Sequence, residues 1–131
     1  MGSWRYVKGA HAERELLALL QQKGFKVVRA AGSGVQGDCP DLLALSSTRK
    51  FAVECKAWKK AVYIDKPKFI QMEEWEKATG MPVLLAWKPH RKNWAFFPLS
   101  AMRETSQSHT VGEGDLALGM TLEEITAASR A

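Results

Sequence analysis

The chain has 131 residues, of which 46% are hydrophobic and 25% charged. That is the composition of one ordinary globular domain and excludes a disordered chain. Lys and Arg outnumber Asp and Glu by 19 to 14, and the net +5 favours an anionic partner, nucleic acid before a membrane surface. The cysteines are Cys39 and Cys55, too few for a disulfide scaffold and suited to a reducing compartment.

No segment directs the chain to a membrane. The longest apolar run, Met81 to Trp87, is far too short to span one. The first residues lack an apolar signal core, and Tyr6 breaks the myristoylation pattern that Met1 and Gly2 would begin. The sequence therefore reads as soluble and cytoplasmic, without a membrane partner. Charge is uneven along it. Residues 104–131 carry five acids and one base, a net −4 that leaves +9 on residues 1–103. Anion binding is expected in the first part, with the acidic tail as an appendage.

In chain order, Leu16, Leu17 and Leu20 form the apolar stripe of a helix from about Ala10 to Lys23, ended by Gly24. Phe25 to Ala30 reads as a strand. Residues 31–40 form a glycine-rich loop containing Ser33. Asp41 to Ser46 and Phe51 to Ala57 read as two further strands around a short turn. After the basic, aromatic segment WKKAVYIDK, Asp65 is placed to cap a helix with Pro67 in its first turn and Gly80 as its stop. Pro82 to Lys88 and Asn93 to Leu99 are two more strands, joined by the turn PHRK. Residues 103–119 are polar and glycine-containing, which predicts a mobile loop. Thr121 and Glu124 then make a capping box for a short last helix, with Met120 and Ile125 as its staple. The order α-β-β-β-α-β-β plus a short C-terminal helix predicts an α/β fold with a mixed sheet.

Three acidic positions stand out. Glu13 precedes Leu16, Leu17 and Leu20 by three, four and seven residues, which puts it on the leucine face. There it is either a carboxylate with a partner or a fringe glutamate favoured by the helix dipole. Alternation puts Glu54 and Lys56 on one face of the third strand and Cys55 on the other. That pair is either functional or a weak surface ion pair. Asp41 opens the preceding strand after Pro40, where turn chemistry alone would suffice. Taken together they say more. The hairpin brings Asp41 beside Glu54 and Lys56, so two carboxylates and an ammonium share one place. Two hard oxygen ligands suit Mg²⁺, with Mn²⁺ as a substitute. Such an ion activates water toward a phosphodiester, and the lysine stabilises the extra negative charge of the transition state.

Pro40-Asp41 followed by Glu54-Cys55-Lys56 resembles the PD-(D/E)xK nuclease signature. The segments KGAHAERELL, GFKVVRAAGSG, PDLLAL, VECKAWKK and GMPVLLAWK, in that order over residues 5–98, resemble the archaeal-type Holliday junction resolvases. The resemblance implies a restriction-endonuclease-like core, a mixed five-stranded sheet flanked by helices, in residues 1–103. Residues 104–131 would be packed on it or trail from it. It implies a Mg²⁺-dependent homodimer that nicks four-way DNA junctions in pairs, with no small-molecule cofactor. Metal ligands fall on Glu13, Asp41, Glu54 and the backbone carbonyl of Cys55, the catalytic lysine on Lys56, and a catalytic loop serine on Ser33. Basic positions for DNA fall on Lys8, Arg14 and Arg29. Lys59 and Lys60 are either phosphate contacts or a solvated pair. Phe69, Met72 and Trp75 would belong to the dimer interface. Two other readings remain: a related nuclease acting on duplex or flap DNA, and a junction-binding protein without catalysis.

Overall fold

The computed structural model describes residues 3–30 and 39–127, with side chains from Gly9 onward. Helix α1 spans Ser3–Gln22. It begins seven residues before the expected start and runs through Gly9, although glycine disfavours a helix interior by about 1 kcal/mol. Gly24 ends it with φ 94°, a left-handed conformation that a side chain would oppose. Strands β1 (Lys26–Arg29), β2 (Leu42–Leu45) and β3 (Lys50–Lys56) follow as an antiparallel meander.

The next element departs from expectation. Ala61–Asp65, inside the basic segment, is a strand, β4. Its alternation is clean, with Val62 and Ile64 buried around an exposed Tyr63. Asp65 then caps helix α2 (Lys66–Thr79) by accepting from the Lys68 backbone N–H at 2.8 Å, and Gly80 closes it at φ 74°. Strands β5 (Val83–Trp87) and β6 (Ala95–Pro98) complete a five-stranded sheet in the order β1-β2-β3-β5-β6. Among the described residues only β3 and β5 pair in parallel, across the β4-α2 connection. The sheet is mixed and flanked by helices, as expected.

The mobile loop expected over 103–119 is structured. Arg103–Glu104 forms β7, Ser108–Gly112 forms β8, and Glu113–Leu118 forms a 3₁₀ helix. Strands β4, β8 and β7 make a second sheet of three strands. Its polar sequence conceals it, because Thr110 is buried only by donating its hydroxyl to the Val62 carbonyl at 2.7 Å. Helix α3 (Leu122–Thr126) has the predicted capping box between Thr121 and Glu124. It is tied to β6 by a two-way backbone bridge between Phe96 and Met120. The chain passes so close there that a Cβ on Gly119 would lie 3.0 Å from the Phe97 ring.

Two cores cover the two faces of the main sheet. On one face, Leu16 and Leu20 of α1 pack with Phe51, Val53 and Cys55 of β3 and with Ile125 of α3. On the other, Phe69 and Met72 of α2 pack with Ala52, Val83, Leu85 and Trp87, and with Val62, Ile64 and Val111 of the small sheet. Strand β5 is apolar at every position because both its faces are covered. This layering corrects the expectation for Phe69 and Met72. They are 5% and 2% exposed and fill the second core, so they are not interface side chains. Trp75 is half-buried against the same cluster, and its indole N–H is buried without a hydrogen-bond partner.

Candidate active site

The register between β2 and β3 assembles the site. Leu42 pairs with Val53, so one further step sets Asp41 opposite Glu54. The pairing stops there, which leaves the Cys55 backbone N–H beyond the last pair. Asp41 fills the gap: its Oδ2 accepts that N–H at 2.8 Å, a charge-assisted bond that fixes the carboxylate.

Glu54 sits on the α2 face of β3 and is 5% exposed. Two lysines flank it from different elements. Lys56 Nζ is 3.9 Å from Oε2, and Lys68 Nζ, from the first turn of α2, is 3.9 Å from Oε1. Both distances are those of ion pairs and too long for hydrogen bonds. Oε1 is buried with no hydrogen-bond partner. Burial pushes the Glu54 carboxyl up to about 7; the Asp41 charge adds to this, and Lys68 and Lys56 oppose it.

Glu13 comes to the same end of the sheet from α1. Of the two readings open for it, the partnered carboxylate holds: Oε1 accepts from Arg29 Nε at 3.1 Å. Burial raises its pKa and so does Asp41, against the pull of Arg29 and Lys56. Asp41 is the acid that both glutamates feel most. The two glutamates approach it from opposite faces, since α1 packs on the Cys55 side of β3 and Glu54 alternates to the other. In consequence, among the described residues no three His, Cys, Asp or Glu side chains gather closely enough to hold a metal ion. The carboxylates expected as one ligand set share a field without converging on a point. Asp41 with Glu54 is the pair that remains close. Two hard oxygen donors, one with a buried and unbonded atom, fit a divalent ion that keeps most of its water.

Other expected residues fall differently. The Cys55 thiol packs into the α1-side core, and burial pushes it well above its ordinary range, so it is no nucleophile. Arg29 bonds Glu13 through Nε, with a third of its side chain exposed. Arg14, Lys59 and Lys60 are exposed and free to meet a backbone. Ser33 lies outside the described residues, as does the side chain of Lys8.

Two residues at the site escaped the sequence reading. Lys68 is twelve positions from Lys56 on another element, and only the packing of α2 brings it to Glu54. Trp58 carried a signal, since it lies two positions beyond Lys56. The residue is 43% exposed, with the Lys56 ammonium 5.2 Å from the centroid of its ring. Its carbonyl accepts the Trp87 indole N–H at 2.6 Å, which anchors the turn.

The whole chain has clear relatives. The family model described as archaeal Holliday junction resolvase (Hjc) matches residues 4–131, so the similarity includes the acidic tail that the sequence motifs left uncovered. The crossover junction endodeoxyribonuclease Hjc of Archaeoglobus fulgidus is 32% identical over 120 residues, 90% of this chain and 88% of that protein. That of Sulfolobus acidocaldarius is 30% identical over 123 residues, 90% of this chain and 85% of the other. The solved structure of Archaeoglobus fulgidus Hjc, described as a Holliday junction resolvase from an archaeal hyperthermophile, superposes with a TM-score of 0.83 at 26% identity, covering 95% of this chain and 99% of that one. With its β2–β3 end carrying Asp41, Glu54 and Lys56, this chain belongs to the archaeal Holliday junction resolvase family.

Proposed function

We propose that this protein is a structure-selective endodeoxyribonuclease that resolves four-way DNA junctions by divalent-metal-dependent hydrolysis. One observation carries the reading: Asp41 and the buried, lysine-flanked Glu54 stand side by side at the end of a sheet whose family members are crossover junction endodeoxyribonucleases. In this reading Asp41 and Glu54 hold Mg²⁺, or Mn²⁺ in its place, with the Cys55 carbonyl beside them. The ion supplies an activated water and charge neutralisation at the phosphodiester. The chain's own residues do the rest. The Cys55 N–H holds Asp41 in place. Glu13 and Arg29 close the α1 side. Lys56 presents an ammonium where the transition state gains negative charge, with the Trp58 ring beneath it. Arg14, Lys59 and Lys60 meet backbone phosphates, sequence-independent contacts that suit recognition of DNA shape.

A junction has two equivalent strands to cut, and one site per chain serves one strand. A two-fold homodimer is the economical solution. The buried Phe69 and Met72 do not supply its interface.

Matched four-way junction, flap and duplex substrates with Mg²⁺ test the reading. The expected result is paired nicks in the junction, arrested by EDTA while binding persists, with sedimentation at about twice the chain mass. Preference for flap or duplex DNA would assign the site to a different branch of nuclease chemistry. Binding without cleavage in Mg²⁺ or Mn²⁺ would overturn it.

A further inference from the structure

Lys68 stands in an unfavourable place for a lysine. The first turn of a helix carries the positive end of the dipole, and the acid that offsets it in α2 is the capping Asp65, with none inside the turn itself. The turn nevertheless holds two lysines. Lys66 turns outward and bonds Glu104 at 2.8 Å. Lys68 turns inward, toward Glu54 on the strand that bears the reaction centre. Its origin is fixed, because its own backbone N–H is the one that Asp65 caps. The start of the helix is fixed in turn by Phe69, buried in the core shared with β3 and β5. What the inward lysine meets on that strand is the Glu54 carboxylate. Each oxygen of that carboxylate faces one ammonium, Lys56 at Oε2 and Lys68 at Oε1, and Oε1 has no hydrogen-bond donor.

We infer that Lys68 is a positioning residue of the nuclease centre, which holds Glu54 from the Oε1 side and leaves Lys56 to the reacting phosphate. The inference rests on the reading of the site as a junction nuclease. It joins the crossover connection β4-α2 to the chemistry, because a shift of the α2 start would move Lys68 and release Glu54.

The test compares wild type, Lys68→Met and Lys68→Arg in single-turnover cleavage of a four-way junction in Mg²⁺. Junction affinity in EDTA and the thermal midpoint are measured alongside. Lys68→Met should slow cleavage at saturating enzyme about ten- to a hundredfold, the range for loss of a group that orients a ligand. Junction affinity should stay within about twofold, since one inward lysine adds little to the phosphate contacts. The midpoint should fall by only a few degrees, the loss of one partly exposed ion pair, and stay above the assay temperature. Lys68→Arg should recover most of the rate. Wild-type cleavage by Lys68→Met would overturn the inference, as would a loss confined to affinity or one that comes with a midpoint lowered to the assay temperature. If the wild type itself leaves the junction intact, the reading of the site falls, and this inference with it.

Discussion

Two regions of the molecule hold acids against bases, and they hold them in opposite ways. At the small sheet, Lys66 bonds Glu104 at 2.8 Å, and Arg103 grips Asp115 with two bonds of 3.2 and 2.8 Å. Hydrogen bonds from Lys66 and Arg103 lower the pKa of Glu104 and Asp115, and Gly112 adds a backbone bond to Asp115. At the end of the main sheet, Glu13 and Glu54 are drawn into the protein and crowded by Asp41, so their pKa values rise. The basic groups beside Glu54 stop at 3.9 Å. The first arrangement is ordinary surface pairing, which contributes little to stability. The second keeps anionic charge under strain that a bound cation would relieve, and such strain marks functional sites. Lys66 and Lys68, two residues apart, belong one to each region.

The largest expected effect breaks the comparison if it fails. Asp41→Asn and Glu54→Gln keep shape and remove charge. Each should cut the single-turnover rate by about a hundredfold or more, the scale for losing a preorganised electrostatic group. Junction affinity in EDTA should be retained, because it rests on Lys and Arg contacts. Full activity in either variant would reduce the buried acids to structural residues.

The next effect concerns pH. A folded pKa of about 7 for Glu54, against an ordinary value near 4.5, means that the folded state keeps a proton which the unfolded chain has released. Stability contributed by that proton is complete below 4.5 and is lost as pH rises through about 7. In metal-free buffer at pH 8, Glu54→Gln should therefore stabilise the fold by about 3 kcal/mol. At pH 4 the variant and wild type should unfold alike. Denaturant titrations at the two pH values read this directly. A variant equally stable or less stable at pH 8 would show that Glu54 is not strained.

The smallest effect is in the other region. Glu104→Gln removes an exposed pair and should leave both the thermal midpoint and junction cleavage unchanged. A clear loss of cleavage would show that the small sheet communicates with the site, and the two regions would no longer be separable.

Local chemistry explains why much of this was legible in the sequence. The helices ended at Gly24 and Gly80 because those positions take positive φ. The caps at Asp65 and Thr121 formed because their side chains reach backbone N–H groups within three residues. Asp41, Glu54 and Lys56 could be grouped because a hairpin has a register that short-range alternation reveals. Helix period put Glu13 on the leucine face, and the family resemblance alone placed it at the site.

What the sequence did not determine depends on partners far along the chain. Strand β8 is a strand because β4 lies beside it, and a buried Thr110 looks polar until the Val62 carbonyl accepts its hydroxyl. Phe69, Met72 and Trp75 form an apolar stripe that fits a dimer face or a core equally well. The covering small sheet, contributing Val62, Ile64 and Val111, made Phe69 and Met72 core. Glu13 and Glu54 carry no mark of approaching Asp41 from opposite faces, because the sheet that separates them exists only when α1 and α2 have packed on its two sides. Lys68 has no spacing that ties it to Glu54. Period and capping act over a few residues and are written locally, whereas burial, and the shifted charges that follow from it, belong to the packed whole.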